Sequence, residues 1–72
     1  MSFKDAQQYI GLNCEVAWRD RHGDVQTKHV FVLDVNFVPL YGICLITDYG
    51  EIRLDRIVSI ASTEQSAASE AA

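Results

Sequence analysis

The apolar segment from Val25 to Val38 constrains the fold more than any other part of the chain. As one straight strand it would run about 46 Å, at about 3.3 Å per residue. A globular chain of 72 residues is only about 29 Å across. The strand must therefore bend sharply and serve two sheets, as long strands do where small barrels close. Its continuous apolar centre, Val30 to Leu33, is typical of a corner covered on both sides, and Pro39 ends it because proline cannot donate a ladder hydrogen bond.

The segment before it, Leu12 to Arg19, alternates as a half-buried strand does. Its inward face consists of four residues: Leu12, Cys14, Val16 and Trp18. A hairpin turn follows at Asp20 to Asp24, with Gly23 at the position that needs a positive φ. The register stays open, because a two-residue and a three-residue turn direct opposite faces of the next strand inward.

The segment from Tyr41 to Ile60 predicts the remaining strands. An apolar run, Ile43 to Ile46, precedes a tight turn at Asp48-Tyr49-Gly50, in which Asp48 is expected to accept backbone hydrogen bonds. An alternating strand follows the turn. Apolar residues then recur every third position from Leu54, which predicts one 3₁₀ turn before a closing strand.

The two ends of the chain complete the predicted organisation. Ser2 to Gly11 predicts a short helix with Phe3, Ala6 and Ile10 on its apolar face. From residue 62 the chain is small and polar, which predicts a disordered tail over residues 62–72. We therefore expect a single, mainly β domain over residues 1–61. Its predicted architecture is a five-stranded SH3-like or Sm-like barrel with a short N-terminal helix.

Composition restricts the partners of such a domain. Six Lys and Arg residues stand against ten Asp and Glu residues, a net charge of −4. Binding to nucleic acid draws its affinity from basic side chains that displace counterions, so this balance makes nucleic acid the less favoured partner. The basic residues that would serve it are Arg19, Arg21, His22 and Lys28 near the first hairpin, with Arg53 and Arg56 elsewhere. An acidic module fits better with a protein that presents a basic surface.

Localisation and chemistry are predicted from what the sequence does not contain. No apolar run approaches the roughly 20 residues that span a bilayer, and the N-terminus does not resemble a secretory signal. We therefore expect a cytoplasmic protein without membrane contact. Cys14, His22, His29 and Cys44 do not have the paired spacing of a zinc site, and no nucleophile stands beside a base. We expect two buried thiols, no metal, no cofactor and no enzymatic activity.

The closing segment Gly50 to Ser59, GEIRLDRIVS, resembles the end of the Rho-binding antiterminator family, in which a similar G-E…L-D-K-I stretch completes a small acidic barrel. The resemblance covers this segment only. It implies a bacterial transcription regulator whose N-terminal helix and neighbouring loops bind the RNA-contacting surface of the Rho helicase.

The sequence thus predicts a non-enzymatic interaction module that binds a basic protein surface as a monomer or homodimer. Tyr49 stands at a turn tip between two acidic residues that would steer such a partner, and the helix offers two further polar contacts. The predicted partner-binding residues are Asp5, Gln8, Asp48, Tyr49 and Glu51. Two alternatives stay open: an oligomeric Sm-like RNA-binding protein and a small-ligand-binding accessory protein.

Overall fold

The computed structural model describes residues 1–63, which form one short helix and five antiparallel strands in a single sheet. The elements are α1 (Phe3–Gln7), β1 (Asn13–Arg19), β2 (Val25–Val38), β3 (Gly42–Thr47), β4 (Glu51–Arg53), a 3₁₀ turn (Leu54–Arg56) and β5 (Ile57–Ser62). Their order across the sheet is β4-β3-β2-β1-β5. This confirms the mainly β class, the five strands and the short helix. β4 and β5 are the edges of the sheet, which is not closed.

β2 is the central strand, and it changes partner halfway along, as its length predicted. Residues 25–31 pair with β1, and residues 32–38 pair with β3. An irregularity between Val32 and Asp34 separates the two halves. Val30 and Val32 are buried before it and Val35 after it, so the extra residue switches which positions face inward. Leu33 is 53% exposed there, so the prediction of a centre covered on both sides is wrong at this residue.

The core lies on one face of this sheet. Every strand except β5 contributes at least one buried apolar side chain, and Leu54 of the 3₁₀ turn is 5% exposed. The buried cluster consists of Ala6, Cys14, Val16, Val30, Val32, Val35, Leu45, Ile52 and Leu54. The half-buried side chains of Trp18, Ile57 and Ile60 pack against it. The inward face predicted for the first strand is therefore confirmed.

The helix is shorter than the sequence predicted. Ser2 caps it, because its Oγ accepts a hydrogen bond from the backbone amide of Asp5 at 3.1 Å. Only Ala6 is buried, whereas Phe3 and Ile10 are 43% and 38% exposed, so the predicted apolar stripe is wrong. Because the helix ends at Gln7, helical spacing no longer applies at the tenth residue, and Tyr9 packs against the core instead.

The hairpin between β1 and β2 has the three-residue form of the two that the sequence left open. The amide of Asp20 donates to the carbonyl of Asp24 at 2.9 Å, and the amide of Gly23 donates to the carbonyl of Asp20 at 3.0 Å. Gly23 has φ +86°, a conformation that costs glycine little. This turn fixes the pairing of Arg19 with Val25.

At the other end, β5 continues past the predicted domain boundary at residue 61. Ser62 pairs with Cys14. Thr63 donates to the carbonyl of Asn13 twice, from its amide at 2.8 Å and from Oγ1 at 3.0 Å. These two residues, predicted to belong to the tail, are therefore attached to the sheet. The rest of the predicted tail, residues 64–72, lies outside the described residues. Across the described chain, helices are too short and too polar to cross a membrane.

Candidate functional site

The turn between β3 and β4 carries the side chain that the sequence placed at the centre of a contact surface. Thr47, which is 5% exposed, builds this turn. Its Oγ1 donates to the carbonyl of Gly50 at 2.8 Å and accepts from the amides of Tyr49 and Gly50, both at 3.1 Å. Asp48 was expected to accept backbone hydrogen bonds in this turn, but within the turn Thr47 does so, and Asp48 accepts its backbone hydrogen bond from β2. The signal that could have identified Thr47 is a hydroxyl residue two positions before an exposed turn residue.

Asp48 has a different task, because it fastens the turn to β2. The backbone amide of Phe31 donates to its Oδ1 at 3.0 Å, and its own amide donates to the carbonyl of Phe31 at 3.2 Å. One carboxylate oxygen of this predicted partner-binding residue is therefore already engaged within the protein.

Tyr49 projects from the turn and is 56% exposed. Its ring lies 5.7 Å from the ring of Trp18 on β1, centroid to centroid, at 45°. The Nζ of Lys28 on β2 lies 5.0 Å from the same ring, which is cation–π distance. Tyr49 is thus exposed on one side and supported on the other, and it contacts two strands that are distant from its own turn in sequence.

The remaining predicted partner-binding residues are exposed but divided between two places. Asp5 and Gln8 lie on or just after α1, and Glu51 begins β4. The chain after α1 reaches β2 at Val32, through a hydrogen bond from the amide of Gly11, whereas the turn reaches β2 at Phe31. Backbone groups of consecutive strand residues point to opposite edges, so these two parts of the predicted surface approach β2 from opposite sides.

A groove of about 230 Å³ lies between the β1–β2 hairpin and β4. Four arginines line it: Arg19, Arg21, Arg53 and Arg56. Two carboxylates, Asp20 and Glu51, and two apolar side chains, Trp18 and Ile52, complete the lining. The sequence showed the first two arginines and the last two as separate groups. Folding brings them together because the 3₁₀ turn after β4 packs beside the hairpin, where Nη1 of Arg56 donates to the carbonyl of Asp20 at 3.2 Å.

The carboxylate of Asp20 is committed to the hairpin. Its Oδ2 accepts from Nε2 of Gln26 at 2.9 Å, and its Oδ1 accepts from the amides of His22 at 2.8 Å and Asp24 at 3.1 Å. The hydrogen bond from Gln26 is the largest cause that holds the pKa of Asp20 below its ordinary value of 3.8. Burial, the second-largest cause, opposes it, and the hydrogen bonds from the two amides lower the pKa further.

A second cavity, of about 290 Å³, shares Glu51 and Arg53 with the groove and also contacts Tyr41 and Cys44. The guanidinium carbon of Arg53 lies 6.0 Å from the Tyr41 ring centre, and its Nη2 lies 3.2 Å from Oδ2 of Asp55. Within the described residues, Nε of Arg53 is buried without a hydrogen-bond partner. Burial raises the pKa of the Cys44 thiol, so this thiol is neutral and a weak nucleophile.

Comparison with known proteins adds no assignment. No protein-family model, curated protein or solved structure matches this chain. The functional argument therefore rests on the geometry of the two neighbouring features described above, the supported tyrosine and the arginine-lined groove.

Neither the histidines nor the cysteines are among the described residues that line the groove. His29 is opposite Glu15 across β1 and β2, with Nε2 to Oε2 at 3.4 Å, and both side chains are exposed. His22 is exposed in the hairpin turn. Cys14 lies in the core, and Cys44 lies under the second cavity. Over residues 1–63, His, Cys, Asp and Glu form no group of three or more that could hold a metal ion.

Proposed function

We propose that this chain is a non-catalytic interaction module that binds a protein with a basic surface through the Tyr49 surface, by which we mean Asp48, Tyr49 and Glu51 with the supporting Trp18. The observation that carries the proposal is the state of Tyr49, more than half exposed yet fixed by the Thr47 turn and by Trp18. A fixed aromatic side chain offers a large contact area and loses little conformational entropy on binding.

The proposed architecture is an SH3-like or Sm-like barrel. The strand order and the division of β2 between two partners support it. Two contacts also span the open side of the sheet, between the β4 region and the β1–β2 hairpin. These are the ring contact of Tyr49 with Trp18 and the hydrogen bond from Arg56 to the carbonyl of Asp20. In this arrangement the Tyr49 surface lies where the turn before β4 approaches β1.

The charge distribution supports a basic partner at this surface. Glu51 is exposed, and Asp48 keeps one carboxylate oxygen available. Together with the net charge of −4, these groups would raise the rate of association with a basic surface at low ionic strength. Lys28, whose Nζ lies over the Tyr49 ring, opposes this attraction.

The further proposal, that the module is a bacterial transcription regulator, has separate support. It rests on the resemblance of Gly50 to Ser59 to the Rho-binding antiterminator family. In that case Asp5 and Gln8 on the helix side would contact the partner as well, and the partner would span β2 to reach both parts.

The experiment is capture of a partner from a bacterial lysate by the immobilised full chain, with and without nuclease, at low and high salt. The test variant is Tyr49→Ala with Glu51→Lys, because neither side chain is buried. The matched control is Phe37→Ala with Asp34→Lys, both on β2. It removes an aromatic side chain of similar exposure and reverses the charge of one acidic residue away from the Tyr49 surface. We expect a nuclease-resistant, salt-sensitive partner that the control retains and the test variant loses. Equal capture by both variants would refute the Tyr49 surface as the binding site.

A second candidate, RNA binding by an oligomeric Sm-like protein, is favoured by one observation, the gathering of four arginines beside Trp18. Light scattering separates the two candidates, since a ring of subunits would have several times the mass of a monomer or dimer. Capture that nuclease treatment abolishes would support this candidate over the first.

A further inference from the structure

The arginine groove, lined by Arg19, Arg21, Arg53 and Arg56, carries a charge opposite to that of the whole protein. Its lining holds four guanidinium groups and two carboxylates. The described residues as a whole contain eight acidic and six basic side chains, since Glu64 and Glu70 lie beyond them. Four of those six basic side chains therefore face one groove. Charges beyond about 8 Å are largely screened at physiological ionic strength, so a bound group experiences the groove more than the net charge.

Two of the arginines are held in place by carbonyl oxygens, and Arg53 is paired with the carboxylate of Asp55. Arg19 donates from Nη1 to the carbonyl of Gly23 at 3.0 Å, and Arg56 donates from Nη1 to the carbonyl of Asp20 at 3.2 Å. A carbonyl oxygen fixes a guanidinium but leaves its full charge and its other N–H groups in place. The three hydrogen bonds of the Asp20 carboxylate come from neutral amide groups and leave its charge in place, so Asp20 and Glu51 are the opposing charges within the groove.

Arg53 adds a donor that lacks an acceptor. Its Nη2 approaches Asp55, while its buried Nε has no hydrogen-bond partner within the described residues. A buried donor without an acceptor is unfavourable, but this atom is closed to solvent. An anion in the groove would therefore bind the exposed N–H groups at the end of the Arg53 side chain, which is 36% exposed. Guanidinium groups bind phosphate and carboxylate oxygens in paired, charge-assisted hydrogen bonds.

We propose that this groove binds the phosphate or carboxylate group of a small molecule, with Arg53 and Arg56 as the main ligands and Arg19 and Arg21 as additional donors. The volume of about 230 Å³ suits one such group and a small organic remainder, because pockets for larger ligands start at about 300 Å³. Trp18 and Ile52 provide the apolar wall for that remainder. This site goes beyond the proposed contact surface and does not depend on it.

The test is titration of the full chain with inorganic phosphate and, separately, with acetate, each against sodium chloride of equal ionic strength. Trp18 is the only tryptophan and lines the groove, so its fluorescence reports binding. Changes in amide chemical shifts show where the anion binds. We expect saturable binding of at least one anion, with shifts at residues 19–21 and 51–56. Tighter binding of phosphate would assign a phosphate group, and equal or tighter binding of acetate would assign a carboxylate.

Four variants make the test specific. Arg53→Gln should weaken binding about tenfold or more, because it removes charge-assisted hydrogen bonds. Arg21→Gln, at an exposed position where folding is not at risk, should weaken it by a smaller factor. Lys4→Gln removes the same charge from the helix and should leave affinity unchanged. Glu51→Gln removes one of the two opposing charges and should strengthen binding.

Two results would overturn the proposal. One is the absence of saturable binding of either anion. The other is a loss of anion affinity in Lys4→Gln as large as that in Arg53→Gln, which would mean that net charge alone attracts the anion. Binding of single-stranded RNA without binding of either small anion would reassign the groove to the phosphate backbone. Failure of these titrations would leave the partner-capture result unaffected, because that experiment depends on Tyr49.

Discussion

Replacing Thr47 by valine tests whether one hydroxyl group holds the Tyr49 surface in place. Threonine and valine have nearly the same shape, so Thr47→Val keeps the volume of a side chain that is 5% exposed. It removes one donor and one acceptor that together make three hydrogen bonds within the turn. Any effect therefore comes from those bonds and not from a cavity.

The size of the effect follows from which atoms lose their partner. The amide and carbonyl of Gly50 keep their backbone bonds to Thr47, at 3.1 and 2.9 Å. The amide of Tyr49 loses its bond to Oγ1. One unsatisfied donor and two weakened bonds predict a loss of about 1–3 kcal/mol in the free energy of unfolding. In a domain of this size each kcal/mol corresponds to about 4–8 °C in Tm.

Chemical denaturation measures the free energy of unfolding. Amide hydrogen exchange at Tyr49 shows whether the lost hydrogen bond causes the change. The Tyr49 amide should exchange faster in Thr47→Val than in the wild type, and the fluorescence of Trp18 should change as the ring contact loosens. Thr47→Ser is the control, because it keeps the hydroxyl and loses only a methyl group. If the Tyr49 amide exchanges equally slowly in the wild type and the valine variant, the hydroxyl does not hold the turn and the reasoning fails.

Three further predictions concern the core, the hairpin and the end of β5. Leu54→Ala, at a side chain 5% exposed, should cost about 2–5 kcal/mol in chemical denaturation, and near wild-type stability would place Leu54 outside the core. Because the pKa of Asp20 is lowered in the folded state, its carboxylate stabilises the fold above the ordinary value of 3.8, and this contribution is lost as pH falls through the lower folded pKa. The stability difference between the wild type and Asp20→Asn should therefore shrink in acid, and a difference that grows would contradict this. A chain ending at Ala61 should be less stable than one ending at Thr63 by about 1–3 kcal/mol, since it loses two hydrogen bonds to Asn13; equal melting temperatures would show that these bonds contribute nothing.

Much of the sheet could be predicted because local patterns agree with burial. The alternation in β1, the bounds of β2 and the 3₁₀ turn at Leu54 all follow from the spacing of apolar residues within a short stretch of sequence. Which residues of β2 face the core could not be predicted past the midpoint of the strand. The irregularity at Leu33 depends on β1 and β3 pairing with different halves of the strand, and such tertiary pairing leaves no periodic signal in the segment itself.

The candidate site was predicted less completely than the sheet. An exposed Tyr49 follows from its place in a turn, but its contacts with Trp18 and Lys28 join residues more than twenty positions apart. The arginine groove depends in the same way on the approach of the hairpin to the 3₁₀ turn. Net charge argued against such a site because it sums over the whole chain, whereas binding depends on the few charges within a screening length.

The Tyr49 surface and the arginine groove share Glu51 and Trp18, and this sharing has a thermodynamic consequence. A basic partner at the Tyr49 surface would be attracted by Glu51, while an anion in the groove would be repelled by it. A partner cation that neutralises Glu51 therefore removes one of the two opposing charges of the groove, and a bound anion would in turn attract that cation. Linkage requires each ligand to change the affinity of the other by the same factor. The two proposed ligands should thus favour each other's binding.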